Sequence, residues 1–215
     1  MLDQYLLKNN IRENKFIFWD CETESLSLTN ARPWEIAWDV YDGSNKVESH
    51  QHYLDWPDLV VSDGAAKATN FNHDIVKKEG KNPKEVIDLF NTYLYNKDYK
   101  IVGQNVLGYD CYVHNTSMLQ LGQKTDYSYT DRIYDTLPIA RAYRLGIKPP
   151  ENKEDFLAWQ YRLLCIYKKG LKCKNSEIAE EFGKEIDSSR LHQGSYDIEL
   201  TAFSFFNLIK KLDIQ

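Results

Sequence analysis

The chain reads as a mixed α/β protein: a five-stranded sheet, three antiparallel strands followed by parallel ones, flanked by helices. Three observations predict it. The first 56 residues carry three strand-like segments in succession. From about residue 83 the apolar period becomes helical, with short strands in between. The chain then closes on a long apolar helical stripe.

The first strand is FIFWDCE, residues 16–22, apolar on both alternating faces as a strand covered on both sides must be. WEIAWDVYD (34–42) is the second and HQHYLDW (50–56) the third, with Asp42 and Gly43 supplying a hairpin turn. Val86, Leu89, Phe90, Tyr93 and Leu94 recur at helical spacing behind Pro83. KIVGQN (100–105) is a short strand, followed by a helix from about Tyr109 to Leu121 that Gly122 ends. RIYDTL (132–137) is another short strand. AWQYRLLCIYKK (158–169) and SEIAEEFG (176–183) read as helices. Ile198, Ala202, Phe205, Leu208, Ile209 and Leu212 line one face of the last helix. Pro149, Pro150 and the charged run to Asp155 mark a loop or insertion within a single domain, residues 1–215.

Composition narrows the class. Hydrophobic residues make up 42%, charged 27% and aromatic 13%, enough to bury a core and too much for a disordered chain. No apolar run approaches the roughly 18 residues of a membrane span. The polar N-terminus lacks a signal peptide's apolar region, so a cytoplasmic location and no membrane partner are expected. The four cysteines form no CxxC pair, which suits free thiols in a reducing compartment. A net charge of −5 argues mildly against bulk nucleic-acid binding, although bound divalent cations would reverse it locally.

Asp20 and Glu22 are two residues apart at a strand end, so both point to one face. Adjacent carboxylates repel unless a cation lies between them, and hard oxygen ligands suit Mg²⁺ or Mn²⁺. A pair of solvated acids is the alternative at this point.

The string FIFWDCETESL resembles the first motif of the DEDD exonucleases, the class that includes the proofreading subunit of bacterial DNA polymerase III, oligoribonuclease and ribonuclease T. IVGQNVLGYD is similar to the second motif and supplies Asn105 and Asp110. HQGSYD is similar to the third and supplies His192 and Asp197. The motifs come in family order over about residues 15–212. His five residues before the last Asp fits the DEDDh branch, whereas the other branch carries Tyr four before it and position 193 is Gln.

The resemblance implies a ribonuclease-H-like fold and a 3′→5′ exonuclease that releases nucleoside 5′-monophosphates with two divalent cations, Mg²⁺ or Mn²⁺. It implies that Asp20 bridges both ions, that Glu22 and Asp197 complete the first, and that Asp110 holds the second. His192 is then the general base. Five helical residues would turn His192 about 140° from Asp197, so it must lie before the helix, where Gly194 lets the chain bend. Thr23, Leu26 and Asn105 fall at substrate-binding positions. Glu24 and Ser25 depart from the family's small residue and Gly, which leaves the nucleotide pocket open. The interval from Asp110 to His192 is long, with extra residues expected in 146–176. These include Lys168, Lys169, Lys172 and Lys174 beside Tyr161 and Tyr167, either a track for a single strand or a solvated helix face.

The implied partner is a single-stranded 3′ end, DNA favoured and RNA a serious alternative, with a DNA polymerase as a possible associate. The rival class is a non-catalytic nucleic-acid or polymerase-binding module on the same fold. Other features read as structural. His50 and His52 share a strand face without a third ligand, His114 belongs to a helix surface, Asp135 holds structure, and Cys21 alternates into the core.

Overall fold

A computed structural model describes residues 11–214. Five strands form one sheet in the order β3-β2-β1-β4-β5. They are β1 (Lys15–Thr23), β2 (Pro33–Asp42), β3 (Asn45–Tyr53), β4 (Tyr99–Gly103) and β5 (Ile133–Asp135). β1 pairs antiparallel with β2, and β2 with β3; β4 runs parallel to β1, and β5 to β4. This is the expected sheet, with three antiparallel strands and then parallel ones.

Eight α-helices lie among the described residues: α1 (Asp63–Thr69), α2 (His73–Glu79), α3 (Pro83–Leu94), α4 (Asp110–Gln120), α5 (Thr136–Leu145), α6 (Phe156–Leu164), α7 (Asn175–Glu181) and α8 (Gly194–Leu212). None is long and apolar enough to cross a membrane.

β1 is the axis of the core because both its faces are apolar and both are covered. Phe16 and Phe18 point to one layer, where their rings meet Phe205 and Phe206 of α8. Ile17 and Trp19 point to the other, and Trp19 stacks on Phe90 of α3 with ring centroids 4.8 Å apart. Each such buried side chain stabilises the fold by roughly 1.5–3 kcal/mol, so the strand that carries them is held firmly. Its C-terminal end, Asp20–Thr23, therefore projects from a strand anchored on both faces.

Several boundaries differ from the expectation. The third strand is Asn45–Tyr53, not 50–56, since the hairpin closes on Asp42↔Asn45 with Gly43 and Ser44 in the turn and Gly43 at φ 61°. The strand expected over 132–137 stops at Asp135, whose carboxylate caps α5 by accepting from the Leu137 N–H. The helix expected over 158–169 ends at Leu164, and 165–174 is loop. α1 and α2 are short and between them bury only Val76, so they carry no apolar stripe to announce them.

Candidate active site

The carboxylates gather where β1 ends. Asp20 and Glu22 share the face of β1 that looks toward α8. Across the ladder Asp20 faces Ala37 and Glu22 faces Glu35. The small Ala37 leaves room for the first turn of α8. There a Cβ on Gly194 would stand 3.1 Å from the Ala37 Cβ and 2.6 Å from Glu35 Oε1. Any side chain here would force the Glu35 carboxylate to move, and the close approach sets Asp197, in the same first turn, over the strand end. Glu35 accepts from the Gly194 N–H and, at 3.0 Å, from Gln51 Nε2, tying β2 to the start of α8.

Asp110 arrives from the opposite layer as the first residue of α4, and is buried. Its carboxylate accepts from the backbone N–H of Cys21 and from its own, and Cys21 Sγ donates to Oδ1 at 2.9 Å. Cys21 does alternate away from Asp20 and Glu22, as its position requires. It is not simply a core residue, however, because α4 begins on that face and brings Asp110 against the thiol. Burial and the neighbouring Asp110 push this thiol well above its ordinary range.

The electrostatics show one cluster. Burial raises Asp20 well above the usual carboxylate range, and Glu22, Asp110, Asp197 and Glu35 raise it further. Burial, then Asp197, Glu35 and Asp110, push Glu22 up to about 9. Burial holds Glu35 at about 7, and Asp110 and Asp197 at about 6. Acting in the opposite sense, the adjacent His192 lowers Asp197, in part through its backbone N–H. Five acids thus converge with no lysine or arginine of the described residues acting on them, an arrangement that is costly without a cation.

His192 precedes α8 on an exposed turn with φ 63°. One ligand atom from each of Glu22, His192 and Asp197 lies within 4.8 Å of the others, close enough to share an ion. The oxygen-rich donor set fits hard divalent cations. The structure therefore brings together all five residues singled out in the sequence and adds Glu35. That residue has no motif of its own and joins the site only through its register against Glu22.

The flanking residues are placed as follows. Thr23 Oγ1 donates to the Ser25 carbonyl at 2.8 Å and meets the Tyr109 hydroxyl at 2.7 Å, and Tyr109 donates to the same carbonyl at 2.6 Å. Tyr109 had no signal beyond preceding Asp110. Leu26 stands 87% exposed on the loop after β1. Glu24 turns aside into a two-pronged pair with Arg32, both contacts 2.8 Å, so its charge is matched away from the acids. Asn105 has φ 60°, and its N–H donates to Asp135 at 2.8 Å. Asp135 is fully buried and also accepts from the Leu107 and Leu137 N–H groups, the structural duty expected of it. His114 is not on the surface: it is buried between Asn91 and Tyr129. His50 stacks on Trp38, and His52 Nδ1 meets Lys81 Nζ at 3.1 Å.

No protein-family model and no curated protein matches the chain. Solved structures do. A product-bound exonuclease I matches with a TM-score of 0.70 at 19% identity, over 94% of this chain and 44% of that one. E. coli exonuclease I in complex with a dA16 oligonucleotide gives 0.72 at 20%, over 93% and 41%. The fold is ribonuclease-H-like. The zinc-ion-bound form of the E. coli ExoI–ssDNA complex gives 0.70 at 18%, over 92% and 40%. At such identities the likeness establishes the ribonuclease-H-like fold alone. The chain spans well under half the length of these exonuclease I structures, 40–44%.

Proposed function

We propose that this chain is a metal-dependent 3′→5′ exonuclease of the DEDDh type acting on single-stranded DNA. The observation that carries the proposal is the convergence of Asp20, Glu22, Asp110 and Asp197, with no lysine or arginine of the described residues paired to them, beside an exposed His192. The solved exonuclease I structures on the same fold, bound to single-stranded oligonucleotides, support it.

Asp20, Glu22, Asp110 and Asp197 would hold two divalent cations, whose chemistry when bound is to acidify a water and to stabilise charge on the leaving 3′-oxygen. The protein's own part is positioning and proton transfer. His192 takes the proton from the attacking water at the mouth of the cleft. An imidazole serves because its ordinary pKa lies near neutrality. Glu35 acts through the backbone, holding Gly194 and with it the turn that carries His192. Leu26 is exposed where it can lie against the terminal base, and the Thr23–Tyr109–Ser25 hydrogen bonds stiffen the chain just before it. Phosphodiester hydrolysis then leaves a shortened 3′-hydroxyl end and a nucleoside 5′-monophosphate.

The test is hydrolysis of 5′-labelled single-stranded DNA, with an RNA arm, in Mg²⁺, Mn²⁺ or EDTA. The expected result is a ladder shortening from the 3′ end that needs the metal. It vanishes in Asp20→Ala and falls by roughly 10²–10⁴-fold in His192→Ala. Full activity in EDTA, or in Asp20→Ala, would falsify the assignment. Cleavage of RNA alone would move the substrate to RNA.

A further inference from the structure

A second feature opens beside the carboxylates. Because β4 runs parallel to β1, Gln104 and Asn105 leave the sheet at the same edge as the end of β1 that carries Asp20 and Glu22. Gln104 and Asn105 line a groove of about 390 Å³ together with Tyr167, Lys168, Lys174 and one acid, Glu177, whose carboxylate accepts from the Lys174 N–H at 3.1 Å. The loop that forms its outer wall, 165–174, is pinned. Gln104 Nε2 donates to the Cys173 carbonyl at 3.1 Å, Arg144 Nε to the Lys172 carbonyl at 2.9 Å, and the Leu171 N–H to the Lys168 carbonyl at 3.1 Å. The four lysines thus stand exposed on a loop and not on a helix face, since the helix ends at Leu164.

The loop's chemistry is unusual for a chain of net charge −5. YKKGLKCK, residues 167–174, holds four lysines and no acid. Among the described residues, none of the four lies in an ion pair with a carboxylate. Tyr167 is 91% exposed, a large ring standing in water among the residues that line the groove. Unpaired cations that follow a groove, with an aromatic ring beside them, are what a single strand needs for its phosphates and a base.

We propose that this groove holds the strand upstream of the 3′-terminal nucleotide, with Lys168 and Lys174 on its phosphates and Tyr167 stacked on a base. The inference rests on the exonuclease reading for the strand's direction but predicts binding independently of cleavage. It makes the grip grow with strand length, because nucleotides upstream of the 3′ end add the contacts to Lys168, Lys174 and Tyr167.

The test is fluorescence anisotropy of the intact protein with a twelve-nucleotide oligothymidylate, a dinucleotide and a twelve-nucleotide oligouridylate, with Ca²⁺ in place of Mg²⁺. Wild type is expected to favour the long strand. In Lys168→Gln/Lys174→Gln the slope of log affinity against log salt should become shallower by about 1.4, two phosphates at about 0.7 each. Tyr167→Ala should cut affinity for the long strand at least about fivefold, with the salt slope unchanged. Removing two charges elsewhere, Lys77→Gln/Lys78→Gln on α2, serves as control. An intact length preference and salt slope in the groove variants, or an equal loss in the control, overturns the groove while leaving the exonuclease reading standing. A wild-type protein that binds neither long strand overturns both. Unchanged thermal midpoints identify the effects as binding.

Discussion

Burial of His114 should give the protein a specific weakness toward acid. The ring is 2% exposed. Nε2 meets Asn91 Oδ1 at 2.8 Å and Nδ1 meets the Tyr129 hydroxyl at 3.2 Å, partners that suit the neutral tautomer protonated at Nε2. Burial pushes its pKa down to about 3. In the unfolded chain the value is about 6.5. Above that the residue is neutral in both states and its contribution to stability is complete. Below it the unfolded chain takes up a proton and the folded one does not, so stability falls by about 1.4 kcal/mol per pH unit until the folded pKa is reached. At pH 5 the loss is about 2 kcal/mol. The clustered carboxylates act in the opposite sense, since their raised pKa values favour the folded state in acid. That effect is common to wild type and His114→Gln, and cancels in their difference. Urea unfolding of both proteins in EDTA, followed by tryptophan fluorescence from pH 7.5 to 5, measures it. Wild type should be the more stable at pH 7.5, and the gap should shrink by about 2 kcal/mol by pH 5. A gap constant to within about 0.5 kcal/mol would refute the reasoning.

Three further outcomes are expected. Asp135→Asn presents an amide N–H to backbone donors that now meet carboxylate oxygens at 2.8–3.0 Å, and should cost about 1–3 kcal/mol in urea unfolding; an unmoved midpoint contradicts the role given to Asp135. Gly194→Ala drives a methyl group against Glu35 and Ala37. It should displace the His192 turn and lower the rate on labelled oligonucleotide by about 10²-fold, and a wild-type rate would show that this close approach does not matter. Divalent cations should raise the thermal midpoint more at pH 8 than at pH 5. With Asp110 and Asp197 at about 6 and Glu35 at about 7, protons largely neutralise these acids at pH 5, whereas near pH 8 they are charged and a metal relieves the repulsion. Equal shifts at both pH values would count against a cation among the acids.

How much of the site could be read in advance depended on how local each relation is. Asp20 and Glu22 needed only the period of a strand. Asp110 and Asp197 each open a helix after a recognisable motif, and both lie where that placed them. Glu35 was out of reach because nothing near it in the chain marks it; the Glu22↔Glu35 pairing alone makes it a neighbour of the acids. Cys21 and His114 failed for a related reason. Alternation says which face a side chain takes, not which helix covers that face: Cys21 meets Asp110, and His114 sinks between α3 and Tyr129. α5 begins inside the segment 132–137 read as strand, because Asp135 ends β5 and caps the helix within one residue.

Alternating apolar residues on β1, the helical stripe of α8 and the order of the acidic motifs are properties of the chain itself, and they determined the sheet, its closing helix and four of the five clustered acids. The tertiary structure decided the rest: the strand order, the fifth acid, the turn that lifts His192 beside Asp197, and the pinned lysine loop at Gln104. These depend on contacts between residues far apart in sequence, which no local period encodes. A carboxylate cluster of this kind also has its pKa values set by burial, and burial exists only once both layers have closed over the sheet.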